Sequence, residues 1–411
     1  MYPIDHPRPA LFSLATLSLV LLVVTLGCGE VGPGEGERTE PALVDAEVDL
    51  RVGSLDDPER LLTNVGSILP GPDGRFYVSQ PQDAQIRIHG PDGELEHRFG
   101  SSGEGPGEFE GLSTMGWWGD TGDTLWVGDF RLARLSLFEA NGRFIRSIPL
   151  RVEPYREVMT VRSISAITPE GVALTTPSFP SHLLAEGDIT AIPLLRFDPQ
   201  SDEPPEVVVE TVPGNTQLAI QLGTGMGFTG QPFSDRPLVN VSGPARRVVV
   251  VERHPATDPA RASVRVTAFD LAGDTMWAQE FAYDPLPIPR SEVDSIADAQ
   301  IENWTSFAEQ SGFGRGALES QIRENLFAPE YRPPIAGGFV APDGSTWLRW
   351  TTAPGAEVHR WWWLDEDGTP VSRIEVPANL SLRTHDGEYG WGIETDEYDV
   401  PYVVRLRIGE G

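Results

Sequence analysis

One arrangement recurs along this chain and limits what it can become: a polar turn, a strand, and further on a second polar turn. Its clearest copy is residues 72–109, PDGRFYVSQPQDAQIRIHGPDGELEHRFGSSGEGPGEF. Phe76 and Val78 alternate with Tyr77 and Ser79, the period-two pattern of a half-buried strand, and Ile86 and Ile88 repeat it around Arg87. Pro72-Asp73-Gly74 and Pro91-Asp92-Gly93 read as turns, because proline presets φ and glycine accepts a positive one. A second copy, GDTLWVGDFRLARLSLFEANGRF (122–144), follows at once. Six turn-plus-strand units can be counted in all, at 72–79, 122–129, 169–176, 245–252, 342–350 and 387–395. The first five are each followed by a further strand and a second turn, at 90–94, 139–143, 198–202, 270–274 and 365–369. The pattern predicts an all-β chain of antiparallel sheets.

The best-kept copy also carries a resemblance. Tyr77-Val78-Ser79, Arg87-Ile88, Gly93, Phe99-Gly100 and Gly105-Pro106-Gly107-Glu108-Phe109 resemble an NHL repeat, and the whole resembles the bacterial lipoproteins known as six-bladed β-propellers. The likeness covers about residues 61–148 and then fades to a bare strand rhythm. Gln80 replaces the aspartate usual after the first strand of the motif, whereas the second copy keeps it as Asp129.

The count is uneven at its ends. An isolated strand at 44–52 places Val44, Ala46, Val48, Leu50 and Val52 on one face, and it has no hairpin partner beside it. The sixth unit ends with Tyr402-Val403-Val404-Arg405-Leu406-Arg407, one strand short. Four-stranded blades leave edges that invite association, and radial closure protects them. Donating the spare strand to the last unit would close a ring over residues 43–411. Six blades fit the count; five and seven are the alternatives.

Composition narrows the chemistry. The net charge of −30 argues against a nucleic-acid partner, since a phosphate-binding face needs a basic excess. All 31 basic residues are arginine, so Schiff-base catalysis and a phosphate-loop lysine are excluded. The one cysteine, Cys28, allows no intrachain disulfide and no cysteine-based zinc site. Residues 11–27, LFSLATLSLVLLVVTLG, form an uncharged apolar run that ends directly at Cys28, with Arg8 upstream. At an N-terminus this reads as a signal peptide over residues 1–27. Thr25-Leu26-Gly27-Cys28 is similar to a lipobox, with Thr25 where leucine is usual, which implies lipidation at Cys28. An uncleaved anchor helix and a secreted form are the alternatives. Residues 28–42, rich in Gly, Pro and Glu, read as a flexible tether. The expected address is the cell envelope, anchored to a membrane by lipid.

One segment breaks the strand rhythm. In 291–311, Val293, Ile296, Ala297, Ile301, Trp304 and Phe307 recur at helical spacing, with Ser291 placed as a cap. A second helix is expected at 316–327, carrying Leu318, Ile322 and Leu326, so a helical insertion spans 291–330 between blades 4 and 5. Its apolar stripe needs a surface to bury against, and the loop face of the ring is the nearest.

In a propeller, the loops joining strand 2 to 3 and strand 4 to the next blade emerge on one face, and the resemblance implies that this face binds. So assigned, the face collects Gln80, Asp83, the loop 103–109, Asp129, Arg131, His182, Arg253, His254, Arg261 and Asp396. Its arginines could favour an anionic ligand, or simply pair with Asp129, Glu252 and Asp258. Gly103-Glu104-Gly105-Pro106-Gly107 lacks the lysine and the following helix of a phosphate cradle, and reads as a turn. The seven histidines show no H-x-H or H-E-x-x-H spacing, and no G-x-S-x-G elbow exists. Trp361-Trp362-Trp363 should pack between blades.

The expected function is therefore recognition of a ligand or envelope partner protein on the loop-rich face, without catalysis or cofactor. The alternative is a metal-dependent hydrolase or lyase on the same scaffold, similar to gluconolactonases or amidating lyases, which would need calcium or zinc. The anchor can be checked directly. Cys28→Ser should release the protein from the membrane fraction or stall its processing, since acyl burial contributes roughly 0.8 kcal/mol per CH₂. Unchanged fractionation at the same apparent mass would remove the lipid anchor.

Overall fold

The computed structural model describes residues 40–119, 121–150, 161, 163–222 and 225–409. The signal segment, Cys28 and most of the tether lie outside them. Among the described residues, no helix is long and apolar enough to cross a membrane.

The described residues build six four-stranded antiparallel sheets. Blade 1 is Ile68–Pro70, Phe76–Gln80, Gln85–His89 and Leu95–Phe99; blade 2 is Leu112–Trp117, Thr124–Asp129, Arg134–Glu139 and Phe144–Pro149. Blade 3 is Ala166–Ile167, Ala173–Thr175, Ile192–Phe197 and Glu206–Thr211; blade 4 is Leu238–Val241, Val248–Val251, Ser263–Phe269 and Thr275–Ala282. Blade 5 is Ile335–Val340, Thr346–Trp350, Val358–Leu364 and Pro370–Pro377. Blade 6 takes Leu380–His385, Tyr389–Thr395 and Pro401–Ile408 from the end of the chain and its fourth strand, Ala46–Val52, from the beginning.

Six apolar cores, one between each pair of neighbours, show that the ring is closed. Tyr77, Ile86 and Ile88 of blade 1 meet Leu125, Val127 and Phe138 of blade 2. The series runs on through blades 2 and 3, 3 and 4, 4 and 5, and 5 and 6. It ends where Trp391, Ile393 and Val403 of blade 6 meet Phe76 and Val78 of blade 1. First strands lie beside first strands (Leu238–Val241 next to Ile335–Val340, and that next to Leu380–His385), so they surround the axis. The fourth strands form the rim.

This sandwiching changes the expected burial. Phe76–Gln80 was expected to be half-buried by its alternation, yet all five of its residues are buried. Val248–Val251 shows why: Val248 and Val250 pack toward blade 3 while Val249 and Val251 pack toward blade 5. Both faces of a blade meet a neighbour near the axis, and alternation with solvent appears toward the rim, as in Ser263–Phe269. The tryptophan run obeys the same geometry. Trp361 and Trp363 belong to the core shared with blade 6, whereas Trp362 turns the other way onto Phe281 of blade 4.

The turns joining strand 3 to strand 4 lock each blade onto the one before. Gly142 of blade 2 has φ +87°, and a Cβ there would lie 2.6 Å from Phe99 of blade 1. Gly368 of blade 5 repeats this against Trp277 of blade 4, at 2.7 Å. Glycine is thus required twice, for its conformation and for the close approach. Blade 3 has no glycine in its turn (198–202), and a recess of about 320 Å³ lies there against Arg146–Pro149 of blade 2.

Two excursions leave the ring between blades. The helices are α2, Arg290–Gln310, and α3, Arg315–Asn325, after a short α1, Ser181–Ala185, in blade 3. Ser291 lies inside α2 and does not cap it; the N-cap position is Pro289, with no side-chain cap hydrogen bond. The second excursion is a hairpin, Gln217–Leu222 paired with Gly225–Gly230, between blades 3 and 4. It corrects the expected environment of the helical stripe. Ala297, Ile301, Ala308, Leu318 and Ile322 bury against Leu218, Ile220 and Leu222 of the hairpin, a separate small core. Gly227 has a would-be Cβ only 2.5 Å from Trp304, so this glycine admits the indole.

The terminal strand pairs antiparallel with Pro401–Ile408, from Ala46 opposite Ile408 to Val52 opposite Val403. Its one-sided face is broken by a bulge between Val48 and Leu50, which leaves Val48 49% exposed. Deleting residues 43–52 should bare the edge of Pro401–Ile408, lower Tm by on the order of 5 °C or more, and promote association. A shortened protein with the parental Tm would show closure to be dispensable.

Candidate functional site

In a four-stranded meander the 2-to-3 loops and the connections to the next blade emerge on one end, and the remaining turns on the other. Both excursions arise from connections between blades, at 211–238 and 282–335, so they share the loop face with the 2-to-3 loops. Leu286, Pro287, Pro289, the start of α2, Arg332 and the loop at Ala353-Pro354 line a mostly apolar recess of about 680 Å³ there.

The nine positions singled out on this face separate into two kinds. Four of them hold the ring together. Gln80 is buried, and its Oε1 accepts from the Thr63 amide at 3.0 Å; Asp83 accepts from the Thr63 hydroxyl at 2.8 Å. Asp129 is 1% exposed, and its carboxylate accepts from the amides of Glu110, Gly111, Arg131 and Leu132 at 2.9–3.1 Å. The motif aspartate thus organises the crossing between blades 1 and 2. Asp396 does similar work, accepting from the amides of Tyr398 and Val400 and from the Tyr402 hydroxyl. Burial opposes its charge, but those hydrogen bonds outweigh it and hold its pKa below the ordinary value. The loop at 103–109 is likewise tied down, with Arg134 donating to the carbonyls of Glu104, Gly105 and Glu108. Arg131, His182 and Arg261 are exposed and spread over blades 2, 3 and 4.

Arg253 and His254 belong to the second kind. Arg253 follows strand 2 of blade 4, and its Nε donates to the Ile335 carbonyl at 2.6 Å, at the head of the first strand of blade 5. Its Nη1 donates to the Arg236 carbonyl at 3.3 Å. Arg349 comes to the adjacent carbonyl, that of Ala336, at 3.4 Å, and passes across Gly337. Arg383, on the first strand of blade 6, is left unpaired by a bulge between Leu382 and Thr384. Such bulges re-aim a side chain. Among the described residues, none of Arg236, Arg253, Arg349 and Arg383 has a carboxylate within ion-pair distance; Arg405, by contrast, pairs with Asp49 at 3.0 Å.

The electrostatics agree with this geometry. Burial lowers the pKa of all four guanidinium groups. Arg349 further lowers Arg253, and Arg383 further lowers Arg349, whereas Asp235 partly offsets the effect on Arg253. His359, at the loop-face end of strand 3 in blade 5, is lowered by burial and then by Arg349. Arg383 is exposed, yet the surrounding protein disfavours its charge and lowers its pKa. Asp235 is buried and engaged by the Asn215 amide at 2.6 Å, and lies 3.7 Å from His254 Nδ1. Among the described residues, no three His, Cys, Asp or Glu side chains converge as a metal-holding group.

Sequence reasoning found Arg253 through its loop and missed Arg236, Arg349 and Arg383. Arg349 and Arg383 sit within strands, where alternation alone reads an arginine as an outward residue. A glycine opposite in the register and a bulge are what turn them, and neither is visible before the pairing is known.

The sequence matches no protein-family profile, and no curated protein matches it. Solved structures are similar in fold. A member of the DUF4221 family from Bacteroides vulgatus aligns with a TM-score of 0.51 and 9% identity, over 90% of this chain and 100% of that one. A protein from Bacteroides fragilis designated as exported aligns with a TM-score of 0.48 and 11% identity, over 89% and 96%. The PQQ-bound aldose sugar dehydrogenase of Streptomyces coelicolor aligns with a TM-score of 0.42 and 13% identity, over 90% and 100%. Identities this low establish the propeller and nothing about ligand or activity.

The assignment of Asp129 to architecture is testable. Asp129→Ala strands four amides at once and should cost about 2–4 kcal/mol in denaturant unfolding. A loss below about 0.5 kcal/mol would show that the carboxylate is kept for another reason.

Proposed function

We propose that this chain is an exported, lipid-anchored propeller that recognises a ligand or an envelope protein on its loop face, without catalysis. The observation that carries the reading is the pair of excursions on that face. A hairpin and two helices from separate inter-blade connections share one core, built from Leu218, Ile220, Ile301, Leu318 and Ile322. Ordered excursions of this length are uncommon in a compact fold unless they serve recognition. The blades themselves are already satisfied, since each is packed on both sides without help from the excursions. The lipobox-like stretch ending at Cys28 and the net charge of −30 support an exported, soluble body held near a membrane.

Site-specific photo-crosslinking tests the reading. A crosslinker at His182 or Arg261 samples the loop face, and one at Asn141 or Asp367 samples the opposite turns. Crosslinks to an envelope component are expected from the first pair and not the second, and should be lost when 217–230 and 291–330 are both replaced by short Gly/Ser linkers. Crosslinks from the turn face, or from neither pair, would overturn it.

A further inference from the structure

We propose that the inner ends of blades 4, 5 and 6 form a binding site for a small ligand bearing carboxylate or phosphate oxygens, held by Arg253, Arg349 and Arg383. The proposal rests on the loop face being the recognition face and names what one part of it takes. Its basis is placement. Arg253 Nε and Arg349 Nη2 approach the consecutive carbonyls of Ile335 and Ala336, at 2.6 and 3.4 Å, so the two guanidinium groups flank the head of one inner strand. Arg253 also donates to the Arg236 carbonyl, which brings the fourth blade's inner end to the same place. Arg383, at the bulge in the first strand of blade 6, is near enough to act on the charge of Arg349.

Carbonyl oxygens carry only partial charge and leave these cations un-neutralised. That is notable in a chain with 61 carboxylates against 31 arginines, where an acidic partner is the easiest thing to supply. Asp235, the acid that bears on Arg253, is committed to Asn215. Arg253 and Arg349 are half-buried without an ion-paired counter-charge, which is unfavourable, and burial together with repulsion from a neighbouring arginine lowers the pKa of each. Two buried donors beside the cluster, Arg349 Nε and Asn240 Nδ2, have no acceptor among the described residues. Asn240 Nδ2 lies 3.6 Å from where a Cβ on Gly338 would be, one residue along from Gly337. An oxyanion supplies what both kinds of group lack, and planar guanidinium forks match carboxylate and phosphate geometry.

The size of the ligand follows from the charge of the whole. A surface of net charge −30 repels acidic proteins, nucleic acids and anionic bilayers at long range. A small anion within a Debye length of the cluster feels the local field instead.

The experiment uses the Cys28→Ser protein, with calorimetry and thermal unfolding in citrate, in inorganic phosphate, and in sodium chloride of equal ionic strength. Citrate or phosphate should raise Tm beyond chloride, and the stronger of the two identifies the oxyanion. Arg349→Gln and Arg383→Gln should each weaken binding at least tenfold. Arg383→Gln should also leave the ligand-free Tm equal to or above that of the parent, because it relieves repulsion; a merely structural arginine would lower it. Vesicles containing phosphatidylglycerol should not co-sediment the protein, and co-sedimentation that depends on Arg383 would replace the small ligand with a lipid headgroup and overturn the proposal. Equal stabilisation by chloride, or undiminished binding by both variants, would overturn it as well. Crosslinking from the loop face without anion binding would leave the recognition face standing and remove this site.

Discussion

The ring depends on one antiparallel pairing, between Ala46–Val52 and Pro401–Ile408. Every other blade is completed by neighbouring stretches of chain, but the sixth waits for its two ends to meet. Charged contacts fasten the seam from both sides: Arg405 with Asp49 at 3.0 Å, Arg51 with Glu394 at 2.6 Å, and the Arg51 guanidinium 3.4 Å above the Tyr402 ring. These groups are partly exposed, so each pair is worth little by itself. Their effect is to select the register, while the apolar core shared by blades 6 and 1 supplies the stabilisation. Loss of the seam would therefore be felt in two inter-blade cores at once. Because it joins the most distant parts of the sequence, it is also the contact with the largest loop-closure cost during folding.

Much of this architecture was legible in the sequence because turns are local. Pro91-Asp92-Gly93 or Asn141-Gly142 specifies its own conformation, and the odd strand at each end of the count pointed to closure. Burial was less legible. The alternation in Phe76–Gln80 has the appearance of a strand with one wet face, but the second face meets a blade whose position depends on the whole ring. The hairpin at 217–230 was missed for a related reason. Gly225-Met226-Gly227-Phe228-Thr229-Gly230 has weak strand propensity, and Gly227 makes sense only once Trp304 of a distant helix lies against it.

The candidate site was legible in outline and not in membership. Asp129 drew notice because it belongs to a motif, and the motif proved to be about backbone amides. Arg253 drew notice because it lies in a loop. Arg349 and Arg383 are placed by register, by Gly337 and by a bulge, all consequences of pairing between segments far apart in sequence. Motif reading thus finds residues that stabilise a repeat, whereas residues that interrupt the repeat have no pattern to announce them.

The direction of the first strand has a further consequence. Pro401 follows a loop on the recognition face, so Ile408 lies toward the opposite face, and Ala46, its partner, enters the ring there. Residues 42–44 run beside Arg373 on the rim of blade 5, low on the same side. The described chain thus enters the ring on the turn side, and both excursions leave it on the other. The proposed lipid anchor would then hold the molecule by the side opposite its recognition face. It would meet whatever diffuses toward the membrane and not the lipid beneath it, with only the length of the tether setting how far it can lean.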